Sequence, residues 1–176
     1  MHLKENKQGE TRQGENRQRR TTLVLGIGNL LMRDDSVGVH AVRYLQQTTP
    51  EEFGLRCVDV GTLSFTLAEM IEEAPRLIVV DAARMGGKPG TVRSFQDADL
   101  DRFLRKPRQS MHEVGLPDLF DMARLRDCLP THRAMVAIQP RRIEVGEVMT
   151  PEVAQAIPEV ARMVREIARQ WKTKAV

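Results

Sequence analysis

Acidic and amide side chains stand where the apolar, β-rich runs of this sequence end. Asp59 and Asp81 close the second and third runs, and Gln139 closes the last. Asp35 follows the first run after a short loop, and His112 precedes a helical stripe that leads to the last run. Ligands of open parallel sheets collect beyond the carboxyl ends of the strands. We therefore expect these side chains to line one edge of a sheet.

Two carboxylates and an imidazole that converge from separate strands are typical ligands of a divalent transition metal. Imidazole suits nickel, zinc and copper, and three protein ligands leave coordination positions open for another molecule. Each residue also has a purely structural interpretation. Asp35 would cap the helix that follows it, Asp81 would accept hydrogen bonds from loop amides, and His112 would be a surface residue at a helix terminus. The spacing alone leaves both interpretations open.

Gly26-Ile27-Gly28 begins like the fingerprint of a dinucleotide-binding site, because it follows a predicted strand. The third glycine of that fingerprint would fall at Leu31, where this sequence has none. Asp34 and Asp35 would also bring negative charge to the place of the pyrophosphate. The pattern therefore disfavours a nucleotide, and the two glycines are expected to permit a tight turn from strand to loop.

Strand-like runs alternate with helical stripes in the first half of the sequence. Three runs are predicted to be strands, at 23–28, 55–60 and 77–80. Stripes with a 3.6-residue period separate them, beginning at Val37 and Leu63. This alternation predicts a parallel sheet that is covered by helices on both faces.

Two further strands are predicted in the second half. The turn at 85–90 leads directly into a short strand at 91–95, which predicts a hairpin, antiparallel to the third strand, at an edge of the sheet. A last strand is predicted at 134–138, and the C-terminal helical stripe ends at Trp171 after an interruption at Pro158. The expected fold is α/β, a three-layer α/β/α sandwich whose mixed sheet has about five strands and one antiparallel edge strand.

The net charge of +3 belongs entirely to the first twenty residues. Residues 1–20 carry six basic and three acidic side chains, whereas the rest of the chain carries 21 of each. The segment has two apolar side chains, so we expect a disordered basic tail followed by one domain at 21–176. Because that domain is electrically balanced, we expect no nucleic-acid partner.

Length and composition place the chain among globular proteins. Its 176 residues suffice for one core, and 41% hydrophobic with 29% charged residues is an ordinary composition. No apolar run is long enough to span a membrane, and we expect no signal peptide. Cys57 and Cys128 fit no metal or redox spacing, which predicts a reduced, cytoplasmic protein. We expect it to be a monomer.

Six blocks of distinctive sequence occur in order between residues 22 and 171. The first is Gly26–Val39, which reads GIGNLLMRDDSVGV. The others are Asp59–Thr62, Val79–Ala82, Lys88–Thr91, Ser110–Leu116 and the C-terminal pair Ile138–Pro140 with Thr150–Val153. Together the blocks resemble those of the hydrogenase maturation proteases, the endopeptidases that process the large subunits of nickel-iron hydrogenases.

This resemblance implies roles for the residues at the acidic edge. Asp35, Asp81 and His112 would be a metal-binding trio that senses nickel already inserted in the substrate. Asp35 and Asp81 are then also the candidate catalytic residues, with Asp59 as a supporting base or orienting group and Gln139 as an amide contact. The nickel would be delivered in the substrate, and zinc or cadmium could occupy the same site.

The expected reaction is removal of the C-terminal extension from a nickel-loaded large-subunit precursor. The sequence has no convincing serine or cysteine triad. The remaining possibility is an aspartyl-type or metal-assisted endopeptidase, in which the scissile carbonyl is polarised or a water molecule is activated for attack.

Two alternatives stay open. One is a non-proteolytic, flavodoxin-like module that holds a divalent metal at this edge, and the other is a nucleic-acid-associated protein that uses the basic tail.

Overall fold

The computed structural model describes residues 21–62, 64–105 and 115–173. The predicted tail, residues 1–20, lies outside them. The strands of these ranges are β1 (Thr22–Ile27), β2 (Leu55–Gly61), β3 (Arg76–Ala82), β4 (Val92–Gln96) and β5 (His132–Ile138). The helices are α1 (Val37–Thr48), α2 (Leu67–Glu72), α3 (Asp97–Leu104), α4 (Leu116–Leu125), α5 (Pro151–Ala154) and α6 (Ile157–Thr173). Short 3-10 turns lie at Arg33–Ser36 and Glu51–Phe53.

The strands form one mixed sheet in the order β2-β1-β3-β5-β4. β1 pairs in parallel with β2 and β3, and β3 pairs in parallel with β5. β4 is antiparallel and lies at an edge. These observations confirm the predicted α/β sandwich with its antiparallel edge strand.

The predicted hairpin partner of β4 is wrong, because β4 pairs with β5 and not with β3. β5 lies between them. Its last five residues are all buried, whereas β4 is half-buried or exposed along its whole length. A uniformly apolar strand is stabilised at a central position with both faces covered, and a more polar strand tolerates the edge.

The sheet separates two apolar cores, which makes the three layers. All six residues of β1 are buried. Leu23, Leu25 and Ile27 pack into the core beneath α2, α3 and α4, whereas Val24 packs into the core beneath α1 and α6. Alternate side chains of one buried strand therefore supply both cores.

The C-terminal helical stripe forms two helices, α5 and α6, which agrees with the interruption predicted at Pro158. Pro158 lies in the first turn of α6, where a missing backbone N–H costs little. Trp171 is 2% exposed near the other end of α6 and stacks on His132 at 5.6 Å between ring centroids. Among the helices of the described ranges, none is long and apolar enough to cross a membrane.

Gly38 lets α1 lie directly on the ends of β1 and β3. A Cβ atom built at this position would lie 2.2 Å from the Ile27 carbonyl oxygen and 2.3 Å from the Val80 carbonyl oxygen. Both neighbours are strand backbone, so neither can move without disturbing the sheet. This contact places the start of α1, and the turn before it, against two neighbouring strand ends.

Gly38→Ala is expected to destabilise the fold, although alanine is the better helix former by about 1 kcal/mol. The clash with two strand carbonyls opposes that gain, and overpacking costs on the order of 1–3 kcal/mol or more. Urea unfolding measures the difference, with Gln47→Ala, an exposed position on the same helix, as the control. Wild-type stability of Gly38→Ala would contradict the close approach of α1 to the sheet.

Candidate active site

Asp35 lies in the 3-10 turn Arg33–Ser36, between β1 and α1. The turn is packed so tightly on the end of β1 that a Cβ at Gly28 would lie 1.9 Å from the Asp35 carbonyl oxygen. Gly28 also has a φ of 151°, which L side chains rarely adopt. Gly28 therefore permits a tight turn, as the sequence predicted. The close packing of the Gly28 backbone against the Asp35 backbone fixes Asp35 at the sheet edge.

The Asp35 carboxylate does not cap α1, so that structural interpretation is wrong. Ser36 is the N-cap of α1, and no side chain bonds the cap. Instead, the Asn29 backbone N–H donates to Asp35 Oδ2 at 2.9 Å. Asp35 is 9% exposed. Its carboxylate is thus held in orientation near the surface by the loop that follows β1.

Asp81 lies at the same edge as the Asp35 turn. It is the next-to-last residue of β3, is half-buried, and pairs in register with Ala137 of β5. Its neighbour Val80 contributes the carbonyl oxygen against which Gly38 packs. Because β1 and β3 are parallel neighbours, their carboxyl ends lie side by side. The structure therefore brings the two predicted carboxylates to adjacent strand ends.

His112 lies between residues 106 and 114, outside the described residues. Within the ranges that the structure does describe, no group of three or more His, Cys, Asp or Glu side chains could hold a metal ion. The helix predicted after His112 is present, since α4 begins at Leu116 with Gly115 as its N-cap. The metal-binding trio stays a prediction.

Asp59 and Gln139 tie down loops at this edge. Arg43 Nη2 donates to Asp59 Oδ2 at 2.8 Å, and the Gly61 backbone N–H donates to Asp59 Oδ1 at 3.1 Å. The Met85 backbone N–H donates to Gln139 Oε1 at 2.6 Å. Both side chains therefore have structural roles, and a contribution of either to catalysis stays a prediction.

Asp34 is the residue of this region whose role the sequence did not show. Its side chain is fully buried. The backbone N–H groups of Arg141, Arg142 and Thr150 donate to its carboxylate at 2.7–2.8 Å, and the Thr150 hydroxyl donates at 3.0 Å. These donors come from a loop more than a hundred residues away. The one available signal in the sequence was a second carboxylate directly before Asp35.

The hydrogen bonds decide the charge state of Asp34. Burial by itself raises the pKa of its carboxyl group, but the backbone bonds from Arg142, Thr150 and Arg141 and the bond from the Thr150 hydroxyl outweigh burial. The pKa of Asp34 therefore lies below its ordinary value. Asp34 is an anion at neutral pH, enclosed by donors and shielded from water.

The two cysteines are poor candidates for a nucleophile. Burial raises the pKa of the Cys57 thiol to about 11, so it is protonated at neutral pH. Cys128 is exposed, and its Sγ donates to the Arg126 carbonyl oxygen at 3.2 Å. A cysteine-dependent mechanism is therefore disfavoured, as the sequence predicted.

The model of a protein family described as hydrogenase maturation protease matches residues 39–167. The chain belongs to the hydrogenase maturation protease family. The hydrogenase expression/formation protein HupD of Rhodobacter capsulatus is 36% identical over 150 residues, which are 85% of this chain and 71% of that protein. HoxM of Azotobacter vinelandii is 34% identical over 69% of this chain, but the chain spans 59% of its length.

Solved structures of maturation endopeptidases share the fold of this maturation protease. The hydrogenase maturating endopeptidase HybD of Escherichia coli has a TM-score of 0.77 at 27% identity, over 85% of this chain and 93% of that one. The nickel-iron hydrogenase maturation protease HybD of Thermococcus kodakarensis has a TM-score of 0.69 at 26% identity, over 84% of this chain and 99% of that one. Family and fold assign the chain to the peptidases and favour that class over both alternatives left open by the sequence.

Proposed function

We propose that this maturation protease is an endopeptidase that removes the C-terminal extension of a nickel-loaded hydrogenase large-subunit precursor. The observation that carries the proposal is the placement of Asp35 and Asp81 at adjacent strand ends, in a chain of this family. Relatives named as hydrogenase formation proteins and as the hydrogenase 2 maturation protease of Escherichia coli support it.

Nickel enters this proposal as part of the substrate. The precursor presents nickel on its C-terminal cysteine motif, and Asp35, Asp81 and His112 complete the coordination from the protease side. Carboxylate and imidazole ligands suit this borderline metal. The hydrogen bond from the Asn29 backbone N–H to Asp35 Oδ2 supports the role of Asp35, because it orients the carboxylate in the way that outer hydrogen-bond donors orient the ligands of a metal. Binding of the protease then reports that nickel is in place.

The proposed chemistry is the hydrolysis of one peptide bond. The oxygen of a water molecule adds to the scissile carbonyl carbon, the carbon–nitrogen bond breaks, and a proton passes to the leaving amine. Either Asp35 or Asp81 accepts the proton of the attacking water. The precursor's nickel polarises the carbonyl or activates the water, which would stabilise the negative charge of the transition state.

Processing of a purified precursor tests the proposal. The protease is incubated with each nickel-loaded large-subunit precursor of the source organism, and intact-mass spectrometry follows the C-terminus. One C-terminal fragment should be lost from the loaded precursor, whereas the same precursor without nickel should stay intact. If no loaded precursor is cut, the proposed function is wrong.

A further inference from the structure

Two loops beside the Asp35 turn form one structural unit. The Gly146 backbone N–H donates to the Leu31 carbonyl oxygen at 2.9 Å, and the Arg33 backbone N–H donates to the Gly146 carbonyl oxygen at 2.7 Å. Met32 and Gly146 form an isolated parallel bridge between these bonds. We call residues 29–33 together with 141–150 the apolar lobe.

Exposed apolar side chains are concentrated on the apolar lobe. Leu31 is 59% exposed, Val145 is 82% exposed and Val148 is 72% exposed. Of the six large apolar side chains that are exposed in the described part of the chain, these three and Leu30 lie on the lobe. Single exposed apolar residues are ordinary, but a concentration of them on one feature is typical of an interaction surface.

The apolar lobe is held in place from the inside. The buried Asp34 carboxylate binds backbone N–H groups at both ends of the 141–150 loop, at Arg141 and at Thr150. Arg33 Nη1 also donates to the Val148 carbonyl oxygen at 3.4 Å. The exposed side chains are therefore presented on an ordered backbone, which lowers the entropy cost of binding a partner.

Each arginine of the apolar lobe lies near a carboxylate, and Glu147 is the remaining acidic residue of the 141–150 loop. Arg33 lies 3.1 Å from Glu144, and Arg142 lies 3.8 Å from the same glutamate. Arg141 forms an ion pair with Glu152 at the start of α5. Each arginine of the lobe thus has an acidic partner, so the surface is suited to an apolar segment rather than to a strongly charged one.

We propose that the apolar lobe is the docking surface for the large-subunit precursor and contacts an apolar segment of that protein beside the cleavage site. The inference rests on the proposed function. Three residues separate Leu31 from Asp35 in a tight turn. A protein whose peptide bond reaches Asp35 therefore also comes within reach of the lobe. Apolar side chains on an ordered loop are the usual centre of such an interface.

Serine substitutions on the lobe test this docking surface. The triple variant Leu31→Ser/Val145→Ser/Val148→Ser removes the apolar contacts without changing the charge near Asp35. Its KM for the nickel-loaded precursor should rise by about tenfold or more, with kcat unchanged. Leu125→Ser is the matched control, because Leu125 is 87% exposed at the far end of α4, away from the lobe. Its KM should equal that of the wild type.

Two further measurements accompany the kinetics. Thermal melts should agree between the triple variant and the wild type, since the substituted side chains are exposed. The wild-type KM should change little with salt, because the surface is apolar. A KM that rises steeply with salt would mean that charged groups carry the docking, and would overturn the proposal.

The outcomes separate the docking surface from the proposed function. If the wild type cuts the precursor and the triple variant has the same KM, the docking surface is wrong and the function stands. If the wild type neither binds nor cuts any loaded precursor, both are wrong. If the wild type self-associates and the triple variant does not, the lobe belongs to a second copy of this chain and the docking proposal is overturned.

Discussion

Asp35→Asn and Asp81→Asn are each expected to lower kcat/KM for the nickel-loaded precursor on the order of 10³-fold. Asparagine keeps the shape of the side chain but removes its charge and its basicity. It can neither bind nickel as an anion nor accept the proton of the attacking water. The fold should persist, because an asparagine oxygen can still accept the bond that Asn29 donates to Asp35. Steady-state processing of the precursor, with urea unfolding in parallel, measures both.

The double variant Asp35→Asn/Asp81→Asn should cost little more than the worse single variant. Residues that act together on one metal and one reaction are not additive, whereas two independent structural losses would add. Asp99→Asn is the control, because Asp99 is an exposed carboxylate on α3 that pairs with Arg102. Wild-type processing by either single variant would contradict the assigned site.

The split between kcat and KM decides what the nickel does. If nickel is only recognised, the two single variants should raise KM and leave kcat near the wild-type value at saturating precursor. If nickel or the carboxylates also take part in bond cleavage, kcat falls as well. Because both side chains lie where the peptide bond is expected to bind, we expect a fall in kcat.

Asp34→Asn is expected to lower the free energy of unfolding by about 3–5 kcal/mol. The buried carboxylate accepts bonds from three backbone N–H groups and one hydroxyl, and bonds to a charged acceptor contribute about 1.5–3 kcal/mol each. An asparagine amide would turn its own N–H group toward some of these donors and leave them unpaired. Urea unfolding at neutral pH measures the loss.

Thr150→Val is the matched comparison for Asp34→Asn. It removes the hydroxyl donor but keeps the Thr150 backbone N–H, so it should cost only about 1–2 kcal/mol. Because Asp34 also holds the apolar lobe, Asp34→Asn should raise KM for the precursor, if it still folds. A loss from Asp34→Asn no larger than that from Thr150→Val would contradict the central position of this carboxylate.

The contribution of Asp34 to stability has a defined pH dependence. Its pKa is lower in the folded chain than the ordinary value of 3.8, so the folded state binds the proton less readily than the unfolded state. The contribution is complete above pH 3.8 and is lost as the pH falls through the lower, folded-state pKa. The free energy of unfolding should therefore fall more steeply with acid in the wild type than in Asp34→Asn. Equal slopes would contradict the depressed pKa.

The order of the last two strands shows what local sequence patterns leave undecided. The turn at 85–90 is compatible with two pairings of β4, one with β3 in a hairpin and one with β5. The choice depends on which strand can be buried on both faces. β5 is uniformly apolar over its last five residues and β4 is not, so β5 takes the inner position. β4 and β5 are about forty residues apart in the sequence. A local sequence pattern covers only one of them, so it cannot show which strand is the more apolar.

The sequence was enough to predict the α/β class, the antiparallel edge strand, and the placement of Asp35 and Asp81 beyond strand ends. Periodicity and side-chain type carry that information, and both are local. Only the tertiary structure showed that Asp34 holds the 141–150 loop and that this loop carries exposed apolar residues beside Asp35. The donors to Asp34 are mainly backbone N–H groups. Every residue except proline has such a group, so no pattern of side chains marks which of them a distant carboxylate will bind.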